Sequence, residues 1–192
     1  MKKYILGFAL CTVIGAGIAF SMLKPLPSDD MLKGEKEANP LVFNMQPLPS
    51  STTITRLVVF KSERQMWAYD QERLIKIYPI SLGKAPVGHK QFEGDKKTPE
   101  GVYRINERNP NSSYHKNLGI SYPNAEDKAY AQSQGKSPGG LIKIHGLPNK
   151  FLDIGRQHLR RDWTDGCIAV TNDEIDELFN AVVHNAEIDI RP

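Results

Sequence analysis

Cysteine is almost absent: in 192 residues there are two, Cys11 and Cys167. A disulfide framework is therefore excluded, and no group of His, Cys, Asp and Glu has the spacing of a zinc site. Blocks of like charge are missing as well. The net charge of +3 is small, so nothing in it calls for a nucleic-acid partner, and the excess reads as solubility. There is no internal repeat and no sign of a second domain. Hydrophobic residues at 40% and charged residues at 24% are the balance of a globular chain, neither disordered nor fibrous. The length suits one domain behind a leader.

The long apolar run that does occur lies at the start. Met1-Lys2-Lys3 is followed by an uncharged stretch from Tyr4 to Leu23. This is the pattern of a secretory signal or of an N-terminal membrane anchor, over residues 1–23. Gly17 and Ala19 suit cleavage after Ala19. Cys11 follows the bulky Leu10 and makes a poor lipoprotein site. Either reading exports the rest, to a periplasm or cell envelope. Residues 24–53, with Pro25, Pro27, Pro40, Pro47 and Pro49, read as a linker, and residues 54–192 as the folded domain. That domain then carries one thiol, Cys167, in an oxidising compartment, where a lone cysteine is either buried and inert or used.

Short β-prone runs follow: Leu57–Phe60, Met66–Tyr69 and Leu74–Leu82, broken by polar turns as in an antiparallel meander. Gly83–Lys97 reads as a loop. Strands resume at Val102–Ile105, Leu118–Tyr122 and Leu141–His145. Asn124 can cap a helix over Ala125–Gln134, ended by Gly135 in the left-handed region. Thr171-Asn172-Asp173-Glu174 has the form of a capping box, and Ile175, Leu178, Phe179 and Val182 make one apolar stripe behind it. Glu187–Ile190 alternates as a closing strand. The fold class is mainly β with one or two helices.

The chemistry concentrates in Asp162-Trp163-Thr164-Asp165-Gly166-Cys167-Ile168. A glycine before a cysteine permits a tight turn, and successive N–H groups at such a turn can hold an oxyanion. The thiol needs a base, and five histidines compete for that role. His145 ends the apolar run Leu141–Ile144 and precedes Gly146, so its side chain emerges where a strand meets a loop. His89 and His115 fall in polar loops and His184 follows the last helix. His158 lies among Arg156, Arg160 and Arg161 and reads as a surface residue.

Ile144-His145-Gly146 followed by Thr164-Asp165-Gly166-Cys167-Ile168 resembles the signature of the YkuD-type L,D-transpeptidase catalytic domain. Lys97-Thr98-Pro99-Glu100-Gly101-Val102-Tyr103 and Gly119–Asn124 are similar to further segments of that family. The resemblance covers about residues 54–190. It implies a YkuD-like β-sandwich of mixed sheets packed with a short helix. It implies Cys167 as nucleophile toward peptidoglycan stem tetrapeptides and His145 as its base. The Gly146 backbone would orient the imidazole, and N–H groups near Asp165, Gly166 and Cys167 would hold the oxyanion. No cofactor or metal is implied. The acyl-enzyme would pass to an amine, as in a cross-link or attachment to a wall-linked lipoprotein. Passed to water, it makes the chain a carboxypeptidase or hydrolase. A catalytically inert envelope scaffold is the alternative of another class. The chain departs from the family at Asp165, where histidine is usual, and at Ala169, where a polar residue is usual. Asp165 is expected to point away from the sulfur toward an arginine. Arg160 and Arg161, with Arg156 nearby, are candidates for the missing carboxylate contact, and Trp163 and Tyr122 for stacking on substrate.

Overall fold

The computed structural model describes residues 46–150 and 152–192. The leader expected over residues 1–23, and the linker as far as residue 45, lie outside the described residues. The end of that linker is close to the domain, with Leu48 packed against the main core. No helix among the described residues is long and apolar enough to cross a membrane.

Among the described residues eight strands form one mixed sheet: β1 Ile54–Phe60, β2 Gln65–Asp70, β3 Arg73–Pro79, β4 Gly101–Ser112, β5 His115–Ile120, β6 Lys143–His145, β7 Ile168–Ala169 and β8 Val182–Arg191. Their order across the sheet is β3-β2-β1-β8-β4-β5-β6-β7. The expected meander is present, since β1 pairs antiparallel with β2 and β2 with β3. Two pairings are parallel, β1 with β8 and β6 with β7. The long β4 serves both halves, pairing with β8 through Gly101–Arg104 and with β5 from Ile105 onward. The mainly β class holds: among the described residues a single curled sheet carries two α-helices and a 3₁₀ segment.

Helix α1, Ala125–Ser133, is capped by Asn124, whose side chain accepts from the Asp127 N–H while Asp127 reaches back to the Asn124 N–H. Helix α2, Asn172–Ala181, has the capping box expected at Thr171 and Glu174. Its stripe of Ile175 and Leu178 is buried in the core beside Ile144, Ile168 and Ile188. Strand ends differ from expectation. The third strand stops at Pro79, because Ser81 pairs instead with Ala169 through two backbone hydrogen bonds. The basic stretch between His145 and Cys167 is a 3₁₀ segment, Leu152–Arg160, interrupted at Gly155.

Candidate active site

Strands β6 and β7 run parallel with Ile144 opposite Ile168 and His145 opposite Ala169. Side chains alternate along strands, so Ile144 and Ile168 enter the core while His145 and the residues in step with it take the other face. Cys167 lies just before β7, two residues ahead of Ala169. The chain thus passes from Cys167 directly into the strand that lies beside the one ending in His145. His145 Nδ1 lies 2.7 Å from the Gly146 carbonyl, so Nδ1 carries the ring proton and Nε2 keeps a lone pair. Burial pushes the imidazole below its ordinary range, against a small upward effect of the Gly146 carbonyl. Close packing at Gly146 secures the loop. A Cβ there would meet Asn172 Oδ1 at 2.6 Å, and the same oxygen accepts from the Leu147 N–H at 2.8 Å.

The turn that carries the thiol is built by Thr164. Its hydroxyl donates to the Cys167 carbonyl at 2.7 Å and accepts from the Gly166 N–H at 3.1 Å. Gly166 has φ +133, and a Cβ on it would stand 2.7 Å from the Lys97 carbonyl, so glycine is required on both counts. The loop it touches is itself anchored: buried Lys61 donates to the carbonyls of Gly88 and Thr98 and to Glu100. Of the three N–H groups expected for an oxyanion, that of Gly166 is already taken by Thr164.

The Cys167 sulfur donates to the Leu141 carbonyl at 3.6 Å and accepts from the Lys143 N–H. Burial pushes the thiol up, the Lys143 N–H and ammonium pull it down, and Asp165 adds a further push upward. Asp165 is exposed and does turn from the sulfur, but to Lys84 at 2.9 Å rather than to an arginine. That ammonium holds its carboxyl below the usual range.

Arg160, Arg161 and Trp163 line one cavity of about 630 Å³ together with Leu147, Pro148, Ile154 and His158. Arg156 is not among them and pairs instead with Glu174 at 3.1 Å. Trp163 packs edge-on to the His145 ring at 5.7 Å. Tyr122 departs from expectation: at 5% exposure it is a core residue, and its hydroxyl donates to the Pro138 carbonyl at 2.9 Å. Ala169 is fully buried and offers the substrate no side chain.

Two residues escaped the sequence reading. Tyr114 lies at the β4–β5 turn with its ring 4.6 Å from that of His145. His158, taken for a surface residue because of its arginine neighbours, is only 6% exposed. Local charge points outward there. The long-range contact with Ser81 that holds the ring inward leaves no trace in the flanking residues.

The sequence model of the L,D-transpeptidase catalytic domain, YkuD, matches residues 54–190. "Putative L,D-transpeptidase YafK" of Escherichia coli is 35% identical over 130 residues, covering 65% of this chain and 45% of the relative. "Putative L,D-transpeptidase YkuD" of Bacillus licheniformis is 30% identical over 137 residues, covering 71% of this chain and 66% of the relative. Among solved structures, the helical cell shape determining protein Pgp2 from Campylobacter jejuni aligns with a TM-score of 0.56 at 26% identity, over 82% of this chain and 53% of that one. Bd1075 of Bdellovibrio bacteriovorus aligns with a TM-score of 0.50 at 26% identity, over 80% and 53%. The chain thus spans about half the length of the Escherichia coli relative and of these two structures.

Proposed function

Because the chain belongs to the L,D-transpeptidase catalytic domain family, YkuD, we propose that it is a cysteine acyltransferase acting on peptidoglycan stem tetrapeptides in the cell envelope. The reading is supported by the β6–β7 ladder, which sets the strand ending in His145 beside the strand that the chain enters from Cys167, and by the Gly146 carbonyl, which leaves Nε2 as the basic nitrogen.

In the first step His145 Nε2 takes the Sγ proton as the sulfur attacks the carbonyl that precedes the terminal D-alanine. A C–S bond forms, and the carbonyl oxygen takes up the negative charge. With the Gly166 N–H engaged by Thr164, the neighbouring N–H groups at Asp165 and Cys167 are the donors for that oxyanion. Collapse breaks the C–N bond, and His145 returns its proton to the departing amine. An amine then attacks the thioester carbonyl: a new C–N bond forms, the C–S bond breaks, and the amine's proton passes through His145 to the sulfur, which makes a cross-link or an attachment. Before the thioester forms, both partners are neutral, since burial raises the thiol and lowers the imidazole. His145 accordingly acts as a general base during attack rather than as half of a standing ion pair. Arg160 and Arg161 suit a substrate carboxylate, and the indole of Trp163 forms the wall between that cavity and His145.

Incubation of the purified chain with disaccharide tetrapeptides, followed by mass analysis, tests the proposal. Cross-linked dimers with loss of D-alanine are expected, and both should vanish in Cys167→Ala and fall at least ~100-fold in His145→Ala. Trimmed monomers alone would assign the acyl-enzyme to water. Neither product, with an intact fold, would sink the enzymatic reading.

A further inference from the structure

His158 is an unusual residue to bury. Arg156, Arg160 and Arg161 surround it in the chain, yet its side chain is 6% exposed and its Nε2 is buried without a hydrogen-bond partner. A leucine or phenylalanine would fill the same space with no unpaired polar atom, and so at lower cost to stability.

Its contacts run in two directions. On one side Ser81 Oγ donates to the His158 carbonyl at 2.9 Å and lies 3.3 Å from Nδ1. The single hydroxyl proton goes to the carbonyl, so the oxygen faces Nδ1 as acceptor and the ring proton sits on Nδ1. Ser81 is in turn fixed to Ala169, its N–H donating at 2.9 Å and its carbonyl accepting at 2.8 Å. Ala169 stands two residues beyond Cys167 on β7. On the other side the imidazole meets Trp163 at 6.5 Å and 89°. Trp163 meets His145 at 5.7 Å, and Tyr114 closes the group, 6.2 Å from Trp163 and 4.6 Å from His145.

We propose that His158 is a positioning residue for the catalytic pair. It ties the Trp163 wall behind the His145 ring to the strand that directly follows Cys167, and so sets the separation of base and sulfur. The path runs Ala169, Ser81, His158, Trp163, His145, and every link is a hydrogen bond or a ring contact. Histidine suits the position because it joins a hydrogen bond on one edge to a flat aromatic face, and because it stays uncharged. Burial first, then the charges of Arg156 and His145, hold its pKa down to about 4. The imidazolium that forms on His145 during attack therefore meets no second buried cation. Arg156 is paired with Glu174, and Arg160 and Arg161 are at the exposed side of the cavity.

The test needs no peptide substrate, although the inference rests on the proposed pairing of Cys167 with His145. Alkylation of Cys167 by iodoacetamide in the full chain is measured at about pH 7, where the thiol needs its base, and at about pH 10.5, where solvent hydroxide can take the proton in place of that base. His158→Ala should slow alkylation ~10-fold at the lower pH and leave the higher-pH rate unchanged. Trp163→Ala should do the same, and the double variant should be no slower than either single one. Should His158→Ala lose its cooperative melt, His158→Phe decides the matter. It fills the space and keeps the Ser81 hydrogen bond to the main-chain carbonyl but loses the Nδ1 contact, and a ~3-fold effect confined to the lower pH is expected. Wild-type rates at both pH values in the folded variant would overturn the proposal, as would effects of His158 and Trp163 that simply multiply. An unchanged neutral-pH rate in His145→Ala would remove the catalytic pair itself. A pH-selective effect in a chain that leaves tetrapeptides intact would instead keep the brace and reject the substrate.

Discussion

At the Cys167 sulfur, burial, the Lys143 N–H and ammonium, and the Asp165 carboxylate act together, and their signs differ. Burial and Asp165 favour the neutral thiol, while Lys143 favours the thiolate. Removing each charge should therefore move reactivity in opposite directions. Asp165→Asn should raise the neutral-pH alkylation rate about 2-fold and Lys143→Met should lower it by a similar factor, both effects shrinking in high salt because these side chains meet solvent. Equal shifts of one sign in both variants would refute this account of the site. Leu141, at 82% exposure and φ +58, supplies the carbonyl that accepts from the thiol. The resting sulfur is thus held to a backbone oxygen, and must leave it to attack.

At the scale of elements, the turn from Thr164 to Cys167 is held by one hydroxyl with two hydrogen bonds and by a glycine that admits no side chain. Thr164→Val removes the hydroxyl but keeps the shape. It should cut turnover ~10-fold or more while destabilising the fold by about 1–2 kcal/mol, compared by steady-state kinetics and denaturant melts. Gly166→Ala places a Cβ 2.7 Å from the Lys97 carbonyl, at a φ where side chains are strained. Loss of activity together with a clear fall in Tm is expected. Much of this level was legible beforehand. Both helices and their caps follow from local patterns at Asn124 and Thr171, because a cap and a stripe involve residues three and four apart. The strand ends were less legible. The strand at Leu74 stops early because Ser81 is claimed by Ala169, a partner far along the chain.

For the whole molecule, two imidazoles buried in one region make folding sensitive to acid. His145 and His158 both sit below their ordinary pKa, so the unfolded chain binds protons that the native state refuses. Their contribution to stability is complete above about pH 6.5 and is lost as pH falls through the native values, with a slope of up to ~1.4 kcal/mol per pH unit for each group. Thermal melts should therefore show Tm dropping between about pH 7 and pH 5. His158→Phe should flatten that drop, whatever it does to Tm at neutral pH. A slope identical to the wild type would mean that His158 is accessible to protons in the native state.

By itself the sequence determined the parts of this protein that depend on near neighbours: the strand runs, the capped helices, the Gly166–Cys167 turn and the family signature built on His145 and Cys167. Only the tertiary structure decided what stands around them. It set the parallel register that lays the strand after Cys167 beside the strand ending in His145, turned Asp165 to Lys84, buried Tyr122 and drew His158 inward beneath its arginines. The reason is physical. Periodicity and turn chemistry act over a few residues, whereas the side on which a loop residue finally rests is settled by contacts such as that of Ser81 with His158, which the chain must fold to create.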